Sequence, residues 1–226
     1  MKAPPPIFSG ICAVFALSFM VLAMAPAIQL GNLQPVVDED LGDIYPIDVS
    51  GVQAEGRAVY VSQGCVACHT EQVRGFSEGA DILRGWGVRR TVARDYIYET
   101  PALLGYMRNG PDLANIGSRK DNDDPDRYSI AWHYRHLYNP TQTSPGSNMP
   151  SYKFLFDKRK IVGQPDTDAL KLTGDDYPGP GFQVVPTPEA RALVAYLTSL
   201  DHSHPLKEAG PNFTPPKTTG SGGAAK

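Results

Sequence analysis

Residues 7–30 form an almost unbroken apolar run with no charged side chain. A helix of that length, rising about 1.5 Å per residue, crosses the roughly 30 Å hydrocarbon core of a bilayer. The pattern predicts one transmembrane helix. Lys2 stands before it, and Asp38, Glu39, Asp40 and Asp43 follow; this bias predicts the N-terminus inside and the rest of the chain outside. A cleaved signal peptide is the rival reading, because Ala23, Met24 and Ala25 resemble a small-x-small cleavage site. Pro26 at the next position, and a run longer than a signal core of about 7–15 residues, favour a retained anchor.

Beyond the anchor the pattern changes twice. Residues 31–53 hold Pro35, Pro46 and several acids without helical periodicity, which predicts an extended linker. Residues 54–64 then read as a short helix ending at Gly64. Near the other end, Thr187, Pro188 and Glu189 spell a helix start, with an N-cap hydroxyl, proline at the first position and an acid in the first turn. Ala190, Leu193, Val194, Leu197 and Leu200 recur on one face, and the helix should end near Asp201. From Pro205 onward the chain is Pro, Gly, Ser, Thr and Lys with little to bury, which predicts a disordered tail. The expected organisation is an anchor (1–30), a linker (31–53), one folded domain (54–204) and a tail (205–226).

With anchor and linker removed, about 170 residues remain, enough for a single core. The net charge of −3 and the lack of a basic stripe argue against nucleic acid as a partner. There are three cysteines, too few for a disulfide framework, since Cys12 lies inside the apolar run.

The other two carry the chemistry. Cys65, Val66, Ala67, Cys68 and His69 spell C-x-x-C-H, in which two thiols add to the vinyl groups of a heme and the adjacent imidazole reaches the iron. One covalently attached heme c is therefore expected, tethered by Cys65 and Cys68 with His69 as proximal ligand. Such heme is attached on the outer side of a bacterial inner membrane, the orientation that the N-terminal charges predict. A redox dithiol or half of a zinc site is the alternative, but no second C-x-x-C or H-x-x-x-H completes zinc, and a dithiol leaves His69 unexplained.

A six-coordinate iron needs a distal group, and methionine is the usual choice in an electron carrier. Met149, in the turn-rich stretch Gly146, Ser147, Asn148, Met149, Pro150, is the leading candidate. Met107 reads by default as core filling. His133 and His136 are alternative ligands, or else surface or hydrogen-bonded core histidines on a helix. Arg74, Arg84, Arg89, Arg90 and Arg94 read as a solvated face from which some could neutralise heme propionates. Residues 121–126 read as an exposed acidic loop, without the Gly and terminal Glu of a calcium-binding EF-hand loop.

Two resemblances add to this reading. Gly56 and Tyr60, set against Leu193 and Tyr196, resemble the crossing of first and last helices in class I cytochromes c. That implies a mainly α domain around one heme, preceded by the transmembrane helix. Asn109, Gly110, Pro111, Asp112 and Leu113 resemble that class's G-P-x-L turn, which implies that the Pro111 carbonyl accepts the proximal imidazole N–H.

The order of motifs resembles the monoheme subunit II of cbb3-type cytochrome c oxidases. It is carried by Glu55, Gly56, Arg57 and Tyr60; residues 64–69; Gln72, Val73 and Arg74; residues 108–114; Trp132, His133, His136 and Leu137; and residues 147–150. Gly75 stands where that family usually has proline, the 121–127 loop is longer, and 86–98 follows the pattern loosely. The resemblance implies an electron relay toward a heme-copper catalytic subunit, with a diheme c-type subunit possible upstream and oxygen reduced elsewhere. A nitric oxide reductase subunit, a free-standing anchored carrier and a heme-based sensor or peroxidase-like enzyme with an open distal site are the competing functions.

Overall fold

The structure, a computed structural model, describes residues 6–38 and 42–210. Helix α1 (Pro6–Leu30) is long and apolar enough to cross a membrane, the one such helix among the described residues. Met20–Met24 widens into a π turn in which the Ala25 N–H donates to Met20 O. Pro26 supplies the reason, because it has no N–H to give and its ring crowds the carbonyl of Leu22.

Two compact units partition the chain. The first contains α1, an antiparallel pair β1 (Val36–Asp38) and β2 (Asp43–Tyr45), and residues 93–98. Val36 pairs with Tyr45 and Val37 with Ile44. Tyr45 Oη donates to Asp95 Oδ1 at 2.7 Å, and Arg94 donates to Gln34 O. The stretch expected as an extended linker thus holds a strand pair, because ladder bonds satisfy backbone groups that a bare linker would leave to water.

The second unit contains α2 (Val52–Ser62), α3 (Ile130–Tyr138), β3 (Phe156–Lys160), β4 (Phe182–Pro186) and α4 (Pro188–Ser199). Helix α2 starts two residues earlier than its sequence predicts and stops at Ser62, two residues before Gly64, which takes the left-handed conformation, φ 74°. Helix α4 starts as expected, with Thr187 Oγ1 accepting from Ala190 N at 3.3 Å.

Helices α2 and α4 touch directly. A Cβ at Gly56 would run into the Ala192 carbonyl and the Tyr196 side chain, so only glycine lets the backbones meet this closely. One turn further along, the rings of Tyr60 and Tyr196 lie 5.5 Å apart at 57°. Both are buried, as are Ala190, Leu193, Val194, Leu197 and Leu200. Burying each large side chain contributes roughly 1.5–3 kcal/mol.

Strands β3 and β4 pair antiparallel, Phe156 opposite Pro186 and Lys160 opposite Phe182. The Thr187 N–H donates to Leu155 O at 3.0 Å, tying the start of α4 to the start of β3. Helical content is 38%, beside a few strands, so the mainly α expectation overstates the helix. Residues 205–210 also depart from the disordered tail expected there. Lys207–Ala209 makes a 3-10 turn, Leu206 and Ala209 are buried, and Arg90 donates to Glu208 O at 2.7 Å. Residues 211–226 lie outside those described.

Candidate cofactor site

The left-handed Gly64 turns the chain from α2 into a 3-10 turn, Cys65–Ala67, in which Cys68 N and His69 N both donate to Cys65 O. The pentapeptide is thereby coiled so that Cys65, Cys68 and His69 all border one cavity of about 600 Å³, within the ordinary range for a bound small molecule. Both thiols are free.

A second segment is laid against the first by Asp112, which is fully buried. Its carboxylate accepts from Thr70 Oγ1 at 2.6 Å, Gln72 N at 2.7 Å and Ala114 N at 3.0 Å. Two backbone bonds complete the match, Gly110 N to Cys68 O and Leu113 N to Thr70 O. This register sets the Pro111 carbonyl 2.8 Å from His69 Nδ1. A carbonyl only accepts, so Nδ1 carries the proton and Nε2 keeps its lone pair. The imidazole also rests on Gly110, where any Cβ would collide with the ring. Burial lowers the His69 pKa while the Pro111 carbonyl opposes that shift.

Met149 lines the same cavity and packs against the core. Ser147 Oγ accepts from its backbone N–H at 3.2 Å, stiffening the loop. Met107, expected as core filling, is instead 52% exposed and does not line the cavity. Its neighbour Tyr106 is exposed as well, while Tyr106 N donates to Val66 O.

His133 and His136 lie on α3, which Ser129 caps by accepting from Trp132 N at 3.1 Å. Both line the cavity. His133 is buried, and its Nδ1 donates to Ser129 O at 2.9 Å. His136 stacks on Trp132 at 4.6 Å, with Nδ1 2.6 Å from Thr143 Oγ1. Burial, helped by His133 and His69, pushes His136 down to about 4.

The arginines read as a solvated face are mostly braces. Arg74 pairs with buried Asp81 at 2.9 Å, Arg84 sits 5.0 Å over Trp86, and Arg89 is buried with Nε donating to His204 O at 2.6 Å. None lines the cavity. The arginine that does is Arg127, which sequence reasoning missed. It closes the acidic loop through Asp121 at 2.8 Å, and only its position beside Tyr128 and the Trp132 motif could have pointed to it.

The donor set suits a porphyrin iron better than the alternatives. Burial pushes the Cys65 thiol up to about 11, whereas a redox dithiol needs its thiolate favoured. No group of three or more His, Cys, Asp or Glu side chains that could hold a metal ion occurs among the described residues, so the cavity offers an imidazole nitrogen, a thioether and two protonatable thiols rather than a metal cage.

A single apolar helix ahead of one heme-motif cavity is the layout of an anchored, single-heme electron-transport subunit. The chain matches the FixO family, described as cytochrome C oxidase, mono-heme subunit/FixO, over residues 10–183, and it belongs to that family. No curated protein matches it. Helix α4 lies beyond the matched stretch, yet its Tyr196 packs on Tyr60 within it.

Proposed function

We propose that this protein is the membrane-anchored monoheme c-type cytochrome of a cbb3-type oxidase, relaying electrons to a heme-copper catalytic subunit. In this reading α1 spans a bacterial inner membrane once, and the heme domain, with a class I cytochrome c-like crossing of α2 and α4, stands on the outer side. A diheme c-type subunit is the expected upstream donor. The observation that carries the reading is the hydrogen bond from His69 Nδ1 to Pro111 O, because it leaves Nε2 bare at the cavity that Cys65, Cys68 and Met149 share.

The heme, when bound, supplies a one-electron iron couple. Everything else falls to the chain. Cys65 and Cys68 would tether the ring, His69 Nε2 and the Met149 sulfur would hold the iron, and Pro111 fixes the imidazole tautomer. With His69 and Met149 both committed to the iron, oxygen reduction would fall to another subunit. Buried Leu113, Ile116, Leu193 and Leu197 line the cavity and exclude water, which favours the less charged reduced state.

The family's description as an oxidase subunit favours this reading over a nitric oxide reductase subunit. The test is a heme stain of the denatured chain after expression with a c-type heme maturation system, together with co-purification in mild detergent. The wild-type chain should stain, Cys65→Ser with Cys68→Ser should not, and a large hydrophobic heme-copper subunit should travel with the wild type. A chain that stains but purifies alone would identify a free-standing carrier.

A further inference from the structure

The cavity wall contributed by residues 127–133 contains groups that the ligand set above does not use. His133 is 4% exposed; its Nδ1–H is given to Ser129 O, and its Nε2 is buried at the cavity with no hydrogen-bond partner. Arg127 Nε is likewise buried without a partner, although Nη1 reaches Asp121 Oδ2. A buried donor or acceptor left unpaired costs about 1–3 kcal/mol, so one of each on one wall calls for a ligand.

Three further observations point the same way. Among the described residues, Arg127 is the only Arg or Lys lining the cavity, and no Asp or Glu lines it. Tyr128, between Arg127 and the α3 cap, is held at φ 68°, a conformation that costs a bulky residue energy and tends to persist where function requires it. Its ring lies 5.2 Å from the Arg127 guanidinium and meets that of Trp132 edge-on at 5.2 Å, and Trp132 meets His133 at 5.3 Å, which packs Arg127 and His133 into one wall.

Resting on the heme reading above, the geometry points to Arg127 and His133 as the receptor for a heme carboxylate. The Arg127 guanidinium supplies the positive charge. His133 gives its Nδ1–H to Ser129 O and presents the Nε2 lone pair, which accepts from a water bound to that carboxylate, while Arg127 Nε–H donates to the carboxylate directly. A charge-assisted bond of this kind is roughly twice as strong as a neutral one. The pair therefore orients the ring and, by holding positive charge beside it, favours the reduced iron.

The experiment compares reduction potentials and redox-difference infrared spectra of the full chain carrying heme isotope-labelled at its carboxyl carbons. Arg127→Gln should lower the potential by about 59 mV, a tenfold shift in the one-electron equilibrium, and should move the labelled carboxylate band. Asp121→Asn breaks the same loop pair but keeps the cation, so it should leave the potential unchanged or raise it. Arg127→Lys should recover most of the potential, and His133→Phe should move the carboxylate band while the iron stays low-spin. An unchanged band in both Arg127→Gln and His133→Phe would overturn the assignment. So would an equal fall in Asp121→Asn, which would make Arg127 a loop brace. A wild-type chain without heme would overturn the parent reading as well, which separates the two failures.

Discussion

The Nδ1 of His69 lies 2.8 Å from the carbonyl oxygen of Pro111, across 42 residues of chain. The contact depends less on either residue than on Asp112, whose buried carboxylate laces the two segments together. The imidazole proposed to hold the iron is thus oriented by a carboxylate that does not touch it.

Asp112→Ala should therefore strike both stability and the site. It strands Thr70 Oγ1 and the amides of Gln72 and Ala114, and the expected loss is about 3 kcal/mol. Chemical denaturation followed by circular dichroism measures it. Asp112→Asn, which keeps the shape and one acceptor, should lose less.

Gly56→Ala tests the helix crossing. The new methyl would meet the Ala192 carbonyl and the Tyr196 side chain, so overpacking should cost about 2–3 kcal/mol. Gly64→Ala has open space around it and only a left-handed φ to pay for, which predicts about 1–2 kcal/mol. Thermal unfolding of the two variants should rank them in that order.

Asp81 sets an acid limit. Burial raises its pKa, but the Arg74 side chain and amide, together with Arg108, outweigh that and hold the carboxyl at about 2. Its unfolded value is about 3.9, so the stabilisation is complete above that pH and disappears as pH falls toward about 2. Asp81→Asn should remove this component, about 2 kcal/mol at neutral pH, and flatten the acid limb. A stability curve from neutral pH down into that range shows whether it does.

Met149 and Met107 give a paired test of the distal ligand. Met149→Ala should abolish the sulfur-to-iron absorption band in the far red and lower the potential. Met107→Ala, at an exposed position, should leave both unchanged. Loss of the band in the second variant only would move the ligand.

Much of the site was legible because its signals are local. The C-x-x-C-H spacing and the cap at Thr187 each bring their partners within a few residues, and the helix face from Ala190 to Leu200 shows its period openly. What stayed hidden depends on distant pairing. Strand β3 has one buried residue, Phe156, followed by four exposed ones, while β4 buries Gln183, Val184, Val185 and Pro186 in succession. Neither alternates, so neither announces a strand. Arg89 is charged and still buried, because the His204 carbonyl, 115 residues along the chain, receives its Nε–H. Composition reads such a residue as solvated. The proline- and glycine-rich end was read as a tail from residue 205, yet Leu206 and Ala209 are buried.

The most direct test of the central claim is carbon monoxide binding to the reduced, detergent-purified chain with its heme attached. An iron held by His69 and Met149 should bind it slowly and incompletely, and the oxidised protein should show the far-red sulfur band. Fast, complete binding, or a chain that emerges colourless from proper export and maturation, would contradict the account.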